Sequence, residues 1–171
     1  MYINEKLQIE EYNYPFADKV NPLLESEIKK ARGHKPSNIH AHFTGFYFDR
    51  NNKLAQNLSC WVSDLIRRDF IQKKVDLKCA ELWGVLYKEG DYITEHNHSP
   101  SLYSFSYYVN VPKGSSPLVF VTSGRKIKPE AGKVVIFESR LIHKVLPNKG
   151  NGRCIISGNF IYDKEVGIYY K

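Results

Sequence analysis

"HNHSPSLYSFSYYVNV" occupies residues 96–111, and two patterns within it set the reading of the whole chain. Through residues 102–111 the odd positions are Tyr103, Phe105, Tyr107, Val109 and Val111, while the even ones include Ser104, Ser106 and Asn110. A period of two is the signature of a strand, and the large, mainly apolar odd face is expected to be the interior. Just ahead, His96 and His98 stand two apart, so in extended chain they project from the same face while Asn97 points the other way. Two imidazoles so placed can close on one metal ion.

Working outward, short β-rich runs punctuated by Gly and Pro fill the second half of the chain: "LWGVLY" at 82–87, "YIT" at 92–94, "LVFVT" at 118–122, "KVVIF" at 133–137, "KVL" at 144–146 and "RCIISGNFIY" at 153–162. That spacing predicts a sandwich or barrel. In the last run Arg153, Ile155, Ser157, Asn159 and Ile161 share a face, and an arginine with small polar residues suits a polar lining. The first half is helical in texture. Residues 21–33 carry a capping Asn21, Pro22 in the first turn, Leu24, Ile28 and Ala31 on one face, and a terminating Gly33. Residues 54–70 place Leu54, Leu58, Trp61, Val62, Leu65 and Ile66 on a second apolar stripe. The expectation is an α+β, mainly β, single domain over 1–171, with a helical support in 1–80 and the β core in 81–171.

Bulk composition excludes several classes. At 171 residues one sizeable core is accommodated, and no stretch approaches the roughly 18 uninterrupted apolar residues of a membrane span. The opening residues mix acids and polar groups where a cleaved leader needs an apolar run, so the cytoplasm is the expected compartment. Cys60, Cys79 and Cys154 are far apart, which argues against a disulfide framework or a thiolate zinc site and predicts buried, reduced thiols. A net charge of +7 could attract nucleic acid, but its clusters (Lys29-Lys30-Arg32, Arg67-Arg68, Lys73-Lys74, Arg125-Lys126-Lys128) are short and dispersed, as ordinary solvated faces are.

A third ligand for the His96 and His98 pair must come from another strand, and His143, after "GKVVIFESRLIH", is placed to fold back across a barrel. Three neutral imidazoles suit iron, zinc or copper and are poor ligands for calcium or magnesium. A second pair two apart, His40 and His42, reads as ordinary surface.

The segment 83–162 resembles the 2-oxoglutarate- and iron(II)-dependent dioxygenases, most closely small prolyl-hydroxylase-like members from bacteria and phages. Five blocks carry the likeness in order: Trp83, Tyr87 and Gly90; "HNHSP"; "SFSYYVNVP"; Pro129, Gly132, Phe137 and His143; and Arg153, Ser157 and Asn159. The resemblance implies a double-stranded β-helix, or jelly-roll, core. It also implies iron(II) held by His96 and His143, 2-oxoglutarate as cosubstrate with ascorbate as an accessory reductant, and hydroxylation of a small molecule or peptide. Arg153 falls where the family pairs a base with the distal carboxylate of 2-oxoglutarate, and a guanidinium fork suits that group. Ser157 shares its face, Tyr107 matches a tyrosine that related hydroxylases use, with Tyr108 expected to point away, and Tyr87 belongs to the first block. Most of the superfamily has a carboxylate where this chain has His98, so a site using all three histidines would be formally neutral in its ligands.

Two alternatives accompany this reading. A cupin also opens with Gly90 and then His96 and His98, but its glutamate is replaced by Leu102 and Tyr103, and His143 lies too far beyond Gly132. A barrel without chemistry would serve as a basic binding module. The loops 110–117 and 122–130 are expected to form mobile rims.

Overall fold

A computed structural model describes residues 8–71 and 75–163. Its chain order is β1 (Ile9–Asn13), α1 (Ala17–Lys30), β2 (Ile39–His40), β3 (His42–Phe43), a 3₁₀ turn (Phe48–Asn51), α2 (Lys53–Leu65) and a π turn (Ile66–Ile71). Nearly all that follows is strand: β4 (Leu77–Tyr87), β5 (Tyr92–His96), β6 (Tyr103–Asn110), β7 (Leu118–Phe120), β8 (Lys126–Ile127), β9 (Lys133–Glu138), β10 (His143–Val145) and β11 (Arg153–Tyr162). Two antiparallel sheets result, ordered β1-β9-β6-β11-β4-β3 and β2-β5-β10-β7-β8. They face each other as a jelly roll, with the helices covering the outer face of the larger sheet.

Both faces of that larger sheet are therefore covered, and each holds its own apolar cluster. Leu82, Phe105, Tyr107, Val109, Cys154 and Ile156 pack with Leu24 and Ile28 of α1 and Leu58 and Val62 of α2. Trp83, Val85, Tyr87, Tyr108 and Ile155 pack inside the roll with Ile93, Phe120 and Val145 of the smaller sheet. The odd face of residues 102–111 is buried as expected, but under the helices. It is the even face, with Ser104, Ser106 and Tyr108, that looks into the roll. The physical reason is that the helical layer offers a mainly apolar surface and takes the large side chains, leaving the small polar ones to face the inside of the roll.

Where α1 crosses the sheet, β4 carries Gly84. A methyl group there would lie 2.6 Å from Cγ1 of Ile28, so the close approach of helix to strand depends on the missing side chain. The helix itself starts five residues earlier than its sequence signals suggest, with Phe16 at the cap position. Pro22 sits inside it, and Asn21, instead of capping, accepts a hydrogen bond from the hydroxyl of Tyr107. In α2 the cap is Asn52, whose side chain accepts from the Ala55 amide at 3.0 Å.

The N-terminal region supplies more than helical support, because β1 pairs with β9, β2 with β5 and β3 with β4. Two other expectations are corrected. Cys60 is exposed, and only Cys154 of the three free cysteines is fully buried. The loop 110–117 is tied to 147–150 by bonds from the Ser116 and Lys149 amides, and neither it nor 122–130 lines the main cavity.

Basic clusters are laced to acids: Lys29 to Glu25, Arg67 to Asp64, Arg68 to Asp69, Arg125 to Glu11 and Lys128 to Glu130. Lys73 and Lys74 lie outside the described residues. No helix among the described residues is long and apolar enough to cross a membrane.

Candidate metal centre

Antiparallel pairing of β5 with β10 sets His96 directly opposite His143 in the smaller sheet. His98 follows two residues beyond the end of β5, held where its amide donates to the Ser139 carbonyl at 2.8 Å. The three rings consequently meet, with centroids 4.3 Å apart for His96 and His143, 4.9 Å for His96 and His98, and 5.0 Å for His98 and His143. One ligating nitrogen from each falls within 4.8 Å of the other two, and this is the one group of such residues among those described that could hold a metal ion.

Local contacts fix which nitrogen is offered. Nδ1 of His96 lies 2.8 Å from the Thr94 carbonyl, and Nδ1 of His143 lies 2.8 Å from that of Leu141. A carbonyl only accepts, so each Nδ1 carries the proton and each Nε2 is left with its lone pair. Burial, reinforced by the neighbouring rings, lowers the pKa of His98 to about 2 and that of His143 to about 3; burial also lowers that of His96. All three rings are neutral at physiological pH, the state in which imidazole ligates. Glu95 faces away and pairs with Lys144 at 2.7 Å, so it supplies no carboxylate here.

The histidines line a cavity of about 480 Å³ whose other walls include Trp83, Ser106, Leu118, Ile155, Ser157 and Asn159. Inward residues of β4 and β11 meet in register, Glu81 with Asn159 and Trp83 with Ser157 in the cavity wall, then Val85 with Ile155, and Tyr87 with Arg153 beyond the lining. Arg153 is wholly buried inside the roll, beyond the residues that line the cavity. Its guanidinium lies over the Tyr87 ring at 4.3 Å and near that of Tyr108 at 5.6 Å. Its Nε and Nη1, and the hydroxyls of Tyr87 and Tyr108, have no hydrogen-bond partner. Such a cluster of buried, unpaired donors is costly unless an acceptor joins it.

Of the site residues read from sequence, the fold brings His96, His98 and His143 together, puts Arg153 and Tyr87 side by side, and sets Ser157 on the cavity wall. Tyr107 is the exception. It lies on the opposite face of β6, packed against Tyr14 at 5.7 Å and bonded to Asn21 of α1, so Tyr108 is the tyrosine that faces Arg153. The signal was available in the alternation, since Tyr108 shares its parity with Ser104 and Ser106. Sequence reasoning also missed Glu81 and Phe46, both at the cavity. The other histidine pair is structural: His42 Nε2 lies 3.0 Å from the Ile28 carbonyl, and His40 stacks on Tyr92.

No protein-family model matches the chain, and no curated protein does. Solved structures do. The viral collagen prolyl hydroxylase vCPH from Paramecium bursaria Chlorella virus-1, in complex with 2-oxoglutarate, superposes with a TM-score of 0.72 at 18% identity, over 93% of this chain and 98% of that one. This chain has the fold of the 2-oxoglutarate- and iron(II)-dependent oxygenases. A Pseudomonas putida prolyl-4-hydroxylase matches the oxygenase fold at 0.68 and 20% identity, over 91% of this chain and 93% of its own. HygX from Streptomyces hygroscopicus, with nickel and 2-oxoglutarate bound, matches at 0.74 and 11%, over 95% and 86%. Within this oxygenase fold, the residues here fit a divalent metal by the free Nε2 lone pairs of His96 and His143 and one ring nitrogen of His98, and a carboxylate by the unpaired donors around Arg153.

Proposed function

We propose that the protein is an iron(II)- and 2-oxoglutarate-dependent oxygenase that hydroxylates a small molecule or a peptide. The observation that carries this reading is the pairing of three convergent neutral imidazoles with a buried guanidinium whose Nε and Nη1 lack partners. Structural neighbours of the same fold have been solved with 2-oxoglutarate, with nickel, and, for a prolyl hydroxylase from Trichoplax adhaerens, with a peptide fragment.

His96 and His143 would hold the metal through Nε2, with their Nδ1 protons anchored on backbone carbonyls so that the rings cannot turn. His98 occupies the position at which most of the superfamily has a carboxylate. Three neutral ligands leave a divalent charge undiminished, which favours a dianionic cosubstrate more than a site with one carboxylate would. Arg153 would hold the far carboxylate by charge-assisted N–H donation, and the hydroxyls of Tyr87 and Tyr108 are placed to add theirs. When bound, the metal and cosubstrate supply dioxygen activation: one oxygen atom goes into succinate as 2-oxoglutarate loses carbon dioxide, and the other becomes the hydroxyl of the product. Trp83, Leu118, Ile155 and Val145 wall the cavity with apolar surface and exclude water from the reaction. Ascorbate would serve to return an oxidised metal to the iron(II) state.

The test is release of labelled carbon dioxide from 1-labelled 2-oxoglutarate by protein, iron(II) and ascorbate with candidate substrates. Release above that of a His143→Ala control is expected. Equal release would overturn the reading.

A further inference from the structure

The interior of the roll has two electrical poles. Arg153 is buried beyond the residues that line the cavity, and Glu81, six residues back along β4 from Tyr87, is in the lining itself. At about 3.4 Å per residue these poles are roughly 20 Å apart, so they act on different parts of whatever fills the roll. Among the side chains that line the cavity, Glu81 is the one carrying a formal charge. It has no salt bridge among the described residues. Its Oε2 accepts from Nδ2 of the buried Asn159 at 2.8 Å. Asn159 Oδ1 in turn accepts from Ser104 Oγ at 2.8 Å, and Ser104 is bonded to Ser139 at 2.7 Å. This chain of neutral groups holds the carboxylate in place without cancelling its charge.

Beside it the wall is aromatic. Trp83 sits one inward position further along β4, and Phe46 packs edge-on against it at 5.5 Å, with 41% of Phe46 exposed at the mouth. A fixed carboxylate next to aromatic faces is a receptor for a cation, which gains a charge-assisted hydrogen bond and ring attraction together. The rim already shows the second of these, since Arg50 lies over the ring of Tyr47 at 4.0 Å.

We propose, resting on the oxygenase reading above, that the prime substrate is the cationic side chain of a basic amino acid, seated with its charged nitrogen between Glu81 and the Trp83–Phe46 wall. Polarity then sorts the two organic reactants. The dianionic cosubstrate is drawn past the metal to Arg153, while the cationic substrate stops at the mouth, where its carbon skeleton faces the metal.

Calorimetric titration of the wild-type protein tests this, with Nα-acetyl-lysine N-methylamide against its neutral counterpart Nα-acetyl-norleucine N-methylamide, and with free lysine as a third probe. Each is titrated into the unloaded protein and into protein given manganese(II) and N-oxalylglycine. The lysine amide is expected to bind at least ten times more tightly than the norleucine amide, and Glu81→Gln, which retains a partner for Asn159, is expected to bring that ratio near one. Equal binding of the two amides by the wild type, or an unchanged ratio in Glu81→Gln, overturns the proposal. Tighter binding of the capped than of the free lysine assigns the side chain to a peptide, and the reverse assigns it to a free amino acid; both support the cationic site. Failure of manganese(II) and N-oxalylglycine to bind defeats the oxygenase reading, whereas their binding with no preference between the amides defeats the cation alone. The wild-type comparison needs no variant to fold.

Discussion

Arg153 and Tyr87 face each other across the β11–β4 pair, the guanidinium carbon 4.3 Å from the centroid of the tyrosine ring. The ring contact compensates only part of the cost of burying a charge, because two of the guanidinium nitrogens have no acceptor. Arg153→Met should therefore make the ligand-free protein more stable, by about 1 to 2 kcal/mol, while lowering affinity for N-oxalylglycine at least 100-fold. Thermal melts with and without N-oxalylglycine read both effects. A variant less stable than the wild type would mean that the cluster is satisfied without an anion.

His98 can be tested separately from its neighbours. Removing one of three ligands by His98→Ala is expected to weaken manganese(II) binding by 10- to 100-fold, as followed by the electron paramagnetic resonance signal of free manganese. His98→Asp, which restores a carboxylate, should bind manganese(II) at least as tightly as the wild type. Unaltered affinity in His98→Ala would show that the ring stands beside the metal without ligating it.

The ligand-free protein should lose stability as pH falls below about 6.5. His143 is 4% exposed and stays neutral in the fold down to about pH 3, whereas in the unfolded chain it takes up a proton near its ordinary 6.5. The unfolded state thus binds more protons between those values, and the fold is penalised progressively through that window. At pH 5 the cost from His143 is about 2 kcal/mol. Urea midpoints at pH 7 and pH 5 should differ accordingly, and His143→Gln should flatten the dependence. A midpoint indifferent to pH would place the ring in contact with water.

Gly84→Ala is expected to destabilise the protein by about 1 to 3 kcal/mol, because the added methyl meets Ile28 where α1 crosses β4. Combining it with Ile28→Val, which withdraws the terminal methyl of Ile28, should recover part of the loss in a denaturant double-mutant cycle. Strict additivity would remove the contact as the cause.

How much of this was legible in the chain depended on whether one strand's pattern sufficed or two elements had to meet. His96 and His98 announce a shared face by their spacing, and Arg153, Ser157 and Asn159 announce a polar lining by theirs. Tyr107 was assigned to the wrong side because large apolar residues were taken to mark the inside of the roll. In a sheet covered by helices, the larger residues go under the helices, and the small polar face of Ser104 and Ser106 was the mark of the cavity. The strands β2 and β3, with two residues each, are too short to show any alternation and exist only through their partners in β5 and β4. Pro22 suggested a helix start because proline is tolerated in a first turn, yet packing of Leu24 and Ile28 upheld a helix begun earlier.

The facing of His96 and His143 across β5 and β10 also bears on how the chain is tied together. Those residues are roughly fifty apart in sequence, and β10 contributes only three residues to its sheet. A cation shared between them would work as a clasp closing that long loop, restricting the unfolded chain much as a covalent cross-link of equal span does, a restriction of about 4 kcal/mol. Loss of the ion would then loosen the smaller sheet first and leave the helix-backed one standing, so that the same three rings would govern both the durability of the roll and what happens inside it.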